Sequence, residues 1–271
     1  MTNLTSYTYH IGRILKVLVY IESHLDAELS LEKMAKIACI SPFYFHRLFR
    51  AYMGETLAEY VKRLRLQHAQ ERLQYSDIAI TDIALDLGYE NPSAFTKVFN
   101  QVIGKSPRQY RKVMQPIIQA IIKRTIPNGK RPVLKPEFLN RKEEIVLFVR
   151  RVGDYNEIPA TAFAALIQFL ERKGITKEKI NARYSIALDD PHIVDRSKCR
   201  FDACVSLREH LSPEGEIGQK VLAAGRFALF THIGPYSELE KAFQDIFDLW
   251  YFTSGEQLAN APCFCEHINA W

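Results

Sequence analysis

MAKIACISPFYFHRLF (residues 34–49) and IALDLGYENPSAFTKVF (residues 83–99) are two copies of one pattern, the second with an extra residue in its turn. The match runs on: Gly54, Thr56 and Tyr60 return as Gly104, Ser106 and Tyr110. Such a repeat marks one structural module used twice. Each copy opens with a short helix, residues 31–38 and 80–87, whose apolar positions (Leu31, Met34, Ala35, Ala38; Ile80, Ile83, Ala84, Leu87) recur at helical spacing. Ala35 and Ala84 are small where two helices must cross closely. The turns CIS and GYEN end on Ser41 and Asn91, each followed by proline. Serine and asparagine cap helix N-termini, and proline costs nothing at the first helical position, where its missing N–H has no partner to lose. Both copies therefore read as helix-turn-helix units.

The second helix of each unit buries Phe45, Leu48 and Phe49, or Phe95, Val98 and Phe99, at i, i+3, i+4 spacing. The opposite face carries His46, Arg47 and Arg50 in one unit and Ser93, Thr96, Lys97 and Asn100 in the other. Arginine offers a bidentate fork to guanine, and the others make shorter or less directional contacts to bases and phosphates. Either stripe alone also fits a solvated helix face. The segment between the units decides for DNA: residues 56–74 contain neither proline nor glycine and read as one helix. Its length of roughly 28 Å is close to the ~34 Å that separates successive major-groove faces. One chain is thus expected to fill two adjacent grooves of double-stranded DNA, on an asymmetric site with two short elements.

Residues 11–112 resemble the DNA-binding domain of the AraC/XylS family of bacterial regulators, carried by SPFYFHRLFRAYMGETLAEYVKRLRLQHAQERL and ITDIALDLGYENPSAFTKVFNQVIGKSPRQYR. The resemblance implies base contacts from Phe43, His46 and Arg47 in the first unit and from Ser93, Thr96 and Lys97 in the second, with Arg50 on the same face. Lys62 and Arg63 of the linking helix are candidates for phosphate contacts or for a solvated surface. Leu57 stands where the family usually has proline and Lys97 where arginine is commoner, which leaves the base preference unread.

Around this module the 271-residue chain suggests two domains. Its 47% apolar and 25% charged residues are those of a globular protein and argue against disorder or a fibre. No segment reads as a membrane span, and residues 1–10 lack a signal peptide's basic and apolar regions, so the cytoplasm is the expected compartment. The net charge is unevenly placed: +4 over residues 1–115, +6 over 116–142 and −5 over 143–271. That is the asymmetry of a polyanion-binding module joined to a different kind of domain. We assign residues 1–115 to DNA binding, 116–142 to a linker and 143–271 to a second domain. The linker is punctuated by Pro116, Pro127, Pro132 and Pro136, and its Lys123, Arg124, Lys130 and Arg131 could touch the DNA backbone or only keep it soluble. The five cysteines (Cys39, Cys199, Cys204, Cys263, Cys265) are odd in number and scattered, as buried small apolar residues are. Cys263, Cys265 and His267 match no zinc spacing, so neither metal nor cofactor is expected.

A second duplication follows, in which VRRVGDYNEI (149–158) returns as FTHIGPYSEL (230–239), 81 positions on. The same offset pairs Leu166 and Phe169 with Phe247 and Trp250. Strands are expected at 145–152, 183–188, 201–207 and 227–233, with an amphipathic helix after each Gly-x-Tyr turn, making an α+β domain of duplicated β-α-β-β units. This half resembles the GyrI-like effector-binding domain, through IGPYSELEKAFQDIF, YSIALDDP, KCRFDACV and PCFCEHIN. The resemblance implies a groove for a small-molecule effector, with Glu266 as its carboxylate and Tyr155, Tyr236 and Trp250 as aromatic walls. Such a groove suits a cationic or lipophilic effector. Core packing for Trp250 and an exposed strand position for Glu266 are the competing readings. The partner of strand 201–207 falls beyond position 281, so the last strand is expected to be missing. A lost edge, a truncated reading frame or a strand supplied by another chain each fit, with 264–268 as an open edge.

The expected function is an effector-modulated transcription regulator that binds DNA, with activation the family's commoner mode and RNA polymerase a further partner. Two alternatives stand beside it: a ligand-independent regulator whose second half is an interaction module, and a GyrI-like hydrolase. The chain shows no Ser-His-Asp or Cys-His arrangement for the last, so no enzyme is expected.

Overall fold

The computed structural model describes residues 2–124, 134–251, 254–259 and 261–268. The N-terminal half is helical: α1 (Thr2–Ser23), α2 (Leu31–Ile37), α3 (Pro42–Met53), α4 (Leu57–Tyr75), α5 (Ile80–Asp86), α6 (Pro92–Ile103) and α7 (Pro107–Arg124). The repeat reappears in the capping of its helices. Ser41 accepts from the Tyr44 N–H at 3.4 Å and Asn91 from the Ala94 N–H at 2.8 Å, each with proline at the start of the helix. Both helices stop on a left-handed glycine, Gly54 (φ 73°) and Gly104 (φ 76°), a conformation that a Cβ disfavours. A reciprocal cap then starts the next helix in each unit: Thr56 with Glu59, and Ser106 with Gln109.

Behind the caps the aromatic core repeats too. Phe49 meets Tyr60 edge-on at 5.6 Å, and Phe99 meets Tyr110 at the same distance. The second unit closes its own core from Leu66, Ala69, Leu73, Ile83, Ala84, Leu87, Phe95 and Phe99.

The segment read as a linker is more ordered at both ends than its prolines suggest. α7 continues through Pro116 to Arg124. Proline costs a helix one hydrogen bond and a steric adjustment. The helix is meanwhile tied to the segment after α4 by Arg111, whose Nη2 donates to the Ile78 carbonyl at 2.6 Å, and by Gln115, whose amide donates to the Ser76 carbonyl at 3.2 Å. At the other end residues 137–141 form a strand. Lys130 and Arg131, like Pro127 and Pro132, lie outside the described residues.

The second half contains β1 (Glu137–Arg141), β2 (Glu144–Val152), α8 (Ile158–Arg172), β3 (Ile180–Ala187), β4 (Arg200–Leu207), β5 (Ile217–Leu222), β6 (Gly225–Leu229), α9 (Leu239–Asp245), a π-helical turn (Ile246–Tyr251) and β7 (Cys265–Glu266). Five strands form an antiparallel sheet in the order β5-β2-β4-β3-β7, while β1 and β6 pair separately. The first β-α-β-β unit is complete as β2-α8-β3-β4. The second is sparser. Its opening strand ends at Leu229 rather than 233 and joins β1 instead of the main sheet, and β7, at the edge of that sheet, is two residues long. Strand β5, paired to β2 from Glu144↔Leu222 to Val149↔Ile217, has no counterpart in the expected list. The 81-residue offset directs attention past it.

Strand alternation sends β2 and β4 side chains to opposite faces. Leu147, Val149, Phe201, Ala203 and Val205 pack under α8 with Leu166 and Phe169. Val146, Phe148, Tyr184, Ile186 and Cys204 point the other way, and there they join Ile14, Leu18 and Ile21 of α1 and Phe45 and Phe49 of α3 in one continuous core. The second domain's sheet therefore packs directly on the first helix-turn-helix unit.

Candidate nucleic-acid interface and its support

With Phe45 and Phe49 buried, α3 turns Phe43, Arg47 and Arg50 to solvent, with His46 half-buried. α6 does the same fifty residues later: Phe95 and Phe99 are buried, Ser93, Lys97 and Asn100 exposed and Thr96 half-buried. Phe43 is 74% exposed, unusual for a phenylalanine, and the Arg47 guanidinium lies over its ring at 5.8 Å. The expected DNA-reading residues are thus gathered onto one exposed face per unit.

Rigidity between the two faces comes from α4 and one arginine. Arg65 Nε donates to the Leu25 carbonyl and its Nη2 to the Ala27 carbonyl, both at 2.9 Å, while the guanidinium sits 5.7 Å from the Tyr89 ring. It clips the α1–α2 loop of the first unit to the turn of the second. Gly88 (φ 73°) is wedged there, and a Cβ on it would lie 2.7 Å from the Asp26 carbonyl oxygen. The equivalent turn in the first unit holds Cys39 at φ 54°. Lys62 is exposed, and Arg63 is bound to Glu55 through Nε at 3.0 Å and Nη2 at 2.6 Å.

The sheet meets this module through a buried ion network. Glu22 of α1 accepts from Arg150 Nη1 at 2.5 Å and Nη2 at 3.0 Å, and from Arg200 Nη1 at 2.7 Å. Asp202 holds the far side of Arg150 and also receives Lys220 at 2.6 Å; Asp189 holds Arg200. Tyr60 joins by donating to Glu22 at 3.3 Å and accepting from Arg200 at 3.2 Å. Three positive groups and three carboxylates balance, as burial requires. Burial pushes Glu22 and Asp202 upward, but the guanidiniums outweigh it: Glu22 lies below its ordinary range, and Asp202, helped by Lys220, falls to about 2. Burial likewise pushes the Tyr60 phenol up to about 12. No sequence signal marks these groups, beyond charged residues standing at core-facing strand positions.

The four expected effector residues each have their own partners, and ring contacts run from Tyr155 through Phe201, Phe163 and His267 to Tyr236. The Tyr155 hydroxyl lies 2.9 and 3.0 Å from the Asp189 and Arg200 carbonyls, holding the loop that carries Asp189. Trp250, on the π-helical turn, packs edge-on against Phe230 at 5.0 Å. Tyr236 is 72% exposed and its hydroxyl lies 3.2 Å from His267 Nδ1. Glu266, next along the chain, accepts from Arg141 Nη1 at 2.7 Å, and Arg141 also donates to the Tyr184 hydroxyl. That ion pair neutralises the expected effector carboxylate. Among the described residues no group of three or more His, Cys, Asp or Glu could hold a metal ion, and no helix is long and apolar enough to cross a membrane.

Comparison with known proteins matches both halves. The family described as a helix-turn-helix domain covers residues 34–113, and that described as a GyrI-like small molecule binding domain covers residues 134–270. The regulatory protein PocR of Salmonella typhimurium is 40% identical over 105 residues, 39% of this chain and 35% of PocR, so only about a third of that relative is spanned. The regulatory protein SoxS of the same organism is 35% identical over 100 residues, 36% of this chain and 94% of SoxS. The HTH-type transcriptional activator AarP of Providencia stuartii is 35% identical over 98 residues, 36% of this chain and 73% of AarP. On the geometry of its two helix-turn-helix units and on these matches, the chain belongs to the AraC/XylS family of regulators and carries a C-terminal GyrI-like domain.

Proposed function

We propose that the protein is a sequence-specific transcription activator that reads two adjacent major grooves of double-stranded DNA and is modulated by a small molecule through its GyrI-like half. The observation that carries this reading is the pair of matching exposed faces, Phe43, His46, Arg47 and Arg50 on α3 and Ser93, Thr96 and Lys97 on α6, held on one strut. The strut α4 has 19 residues, and at 1.5 Å per residue it sets the units roughly 28 Å apart, suited to successive grooves. Modulation is supported by the continuous core of α1 with the sheet, because a change in the second domain is felt directly by the first unit. Activation follows the printed role of AarP as a transcriptional activator; RNA polymerase as a further partner and the cytoplasm as the place of action belong to the same proposal. The functional division remains residues 1–115 for DNA, 116–142 between, and 143–271 for the effector.

Footprinting on the gene's own upstream DNA tests the core of this reading. Two unlike protected elements about one helical turn apart are expected, with run-off transcription increased on that template. A palindromic footprint, or none, refutes the two-groove arrangement.

A further inference from the structure

The two halves of the second domain repeat in their strand pairing as well as in their sequence. The 81-residue offset carries the whole β1–β6 ladder onto the β5–β2 ladder: Glu137↔Leu229 onto Gly218↔Phe148, and Arg141↔Gly225 onto Leu222↔Glu144. In the first half β4 lies between β2 and β3, paired to β2 from Leu147↔Val205 to Val152↔Arg200 and to β3 from Ile180↔Leu207 to Ala187↔Phe201. In the second half β6 pairs with β1 alone and β7 with β3 alone, and among the described residues no strand lies between β6 and β7.

That gap shows in what is left uncovered. Phe148 of β2 is buried, whereas its counterpart Leu229 is 39% exposed; Arg150 is buried, whereas Thr231 at the same place in the repeat is exposed. Thr231, His232 and Ile233 make no backbone–backbone hydrogen bond among the described residues, and an unpaired strand edge is a template for another strand. Side chains reach across the gap, as where the Phe227 and Phe264 rings meet at 5.5 Å. In the complete half Glu144 of β2 likewise reaches Tyr184 and Asn181 of β3 with β4 in place, so such bridges coexist with a central strand. The floor of the gap is apolar. Phe201, Ala203 and Val205 of β4 share a core with Val149, Leu166 and Phe169; the offset puts Phe230, Phe247 and Trp250 in the places of those last three, with Trp250 against Phe230 at 5.0 Å.

We propose that the gap between β6 and β7 receives an extended segment of another protein as an added strand. Backbone pairing to both edges supplies the affinity and alternate side chains the selectivity. β4 shows the chemistry that fills such a place: Phe201, Ala203 and Val205 towards the helix, Asp202 and Cys204 towards the other face. One position must differ. Asp202 is answered by Arg150 and Lys220, and the offset puts Thr231 and Leu139 where those two cations stand. A carboxylate on the incoming strand would be covered there without a counter-charge, which is costly. The partner segment therefore carries small or apolar side chains at alternate positions and an uncharged residue where β4 has Asp202.

The probe is a fluorescein-labelled peptide of the β4 sequence Arg200–Leu207 bearing Asp202→Val and Cys204→Ser, titrated into the full chain and followed by anisotropy. It is expected to bind saturably and at least ten times more tightly than the same peptide with Asp202 kept. Thr231→Arg, an exposed change that leaves the melting curve in place, restores the cation of the first half and is expected to reverse that preference. Hydrogen exchange is expected to slow on peptide binding at residues 228–233 and 264–268 and to stay unchanged along β5, the opposite edge of the sheet. Absence of saturable binding, equal binding of the two peptides, a preference that Thr231→Arg leaves unmoved, or protection along β5 instead overturns the proposal. Sedimentation of the protein alone is expected to show a monomer with fast exchange at 228–233. A dimer that the peptide dissociates makes a second copy the occupant, and slow exchange in the free monomer means that the chain closes its own gap; either result also overturns it.

Discussion

Replacing Glu22 by alanine removes the one carboxylate that both interdomain arginines share. Three charge-assisted hydrogen bonds go with it, from Arg150 at 2.5 and 3.0 Å and from Arg200 at 2.7 Å. Taken singly, each bond to a charged group contributes about 1.5–3 kcal/mol net. They do not add, because Arg150 keeps Asp202 and Arg200 keeps Asp189. Yet both arginine side chains are 3% exposed, so water cannot replace the lost acceptor and one positive charge is left unbalanced. Breaking a buried pair from one side costs about 3–5 kcal/mol, and that range is expected here. Urea unfolding can be followed by tryptophan fluorescence, which reports the second domain because Trp250 and Trp271 both lie there, and by far-ultraviolet dichroism, dominated by the helical half. The parent should show coincident transitions and Glu22→Ala two separated ones, the weaker contact having uncoupled the halves. A loss below about 1 kcal/mol, with transitions still coincident, would show that the network adds little and refute the reasoning.

Gly88→Ala should destabilise the protein and erase the second element of the footprint while sparing the first, since the added Cβ meets the Asp26 carbonyl at 2.7 Å and Arg65 Nη2 at 2.5 Å; an unchanged footprint would dismiss the Arg65 clip. Arg47→Ala should cost about 1–3 kcal/mol on the specific site and relax one base position, read by competition binding against single-base variants. Glu71 gives a pH signature. Partial desolvation pushes its carboxyl up to about 7, and the adjacent His68 imidazole, likewise half-buried, is pushed down to about 4. Between an unfolded value near ~4.3 and about 7, the folded chain keeps a proton that the unfolded chain has released, so stability falls as pH rises through that window. Glu71→Gln should therefore raise the melting temperature at pH 8 and change it little at pH 4; equal gains at both would rule out the protonation account.

Local chemistry made the helix-turn-helix half legible. Caps, prolines, terminal glycines and the phenylalanine spacing act within a few residues, and the structure uses each of them where the sequence places it. The exposed faces of α3 and α6 followed from the same periodicity. The second half was legible in its first β-α-β-β unit, where alternation and helical spacing are strong. It was less so in β5 and the β1–β6 pair, which depend on partners 68 to 92 residues away. Pro116 argued against a helix that tertiary ties from Arg111 and Gln115 sustain. The interdomain network was invisible for a related reason: Glu22 and Arg200 are 178 positions apart, and nothing near either names the other.

The position of α1 bears on how the protein could be taken apart. Ile14, Leu18 and Ile21 close a core to which Val146, Phe148 and Tyr184 contribute from the second domain, so no cut between residues 124 and 134 yields two finished surfaces. A free DNA-binding fragment would carry an apolar stripe along α1 beside a lone Glu22, and a free second domain would present two arginines on a bare sheet. Grafting either half onto a foreign partner therefore calls for redesigning that stripe and those arginines together. The chain is assembled like an arch whose keystone was cut from one of its piers.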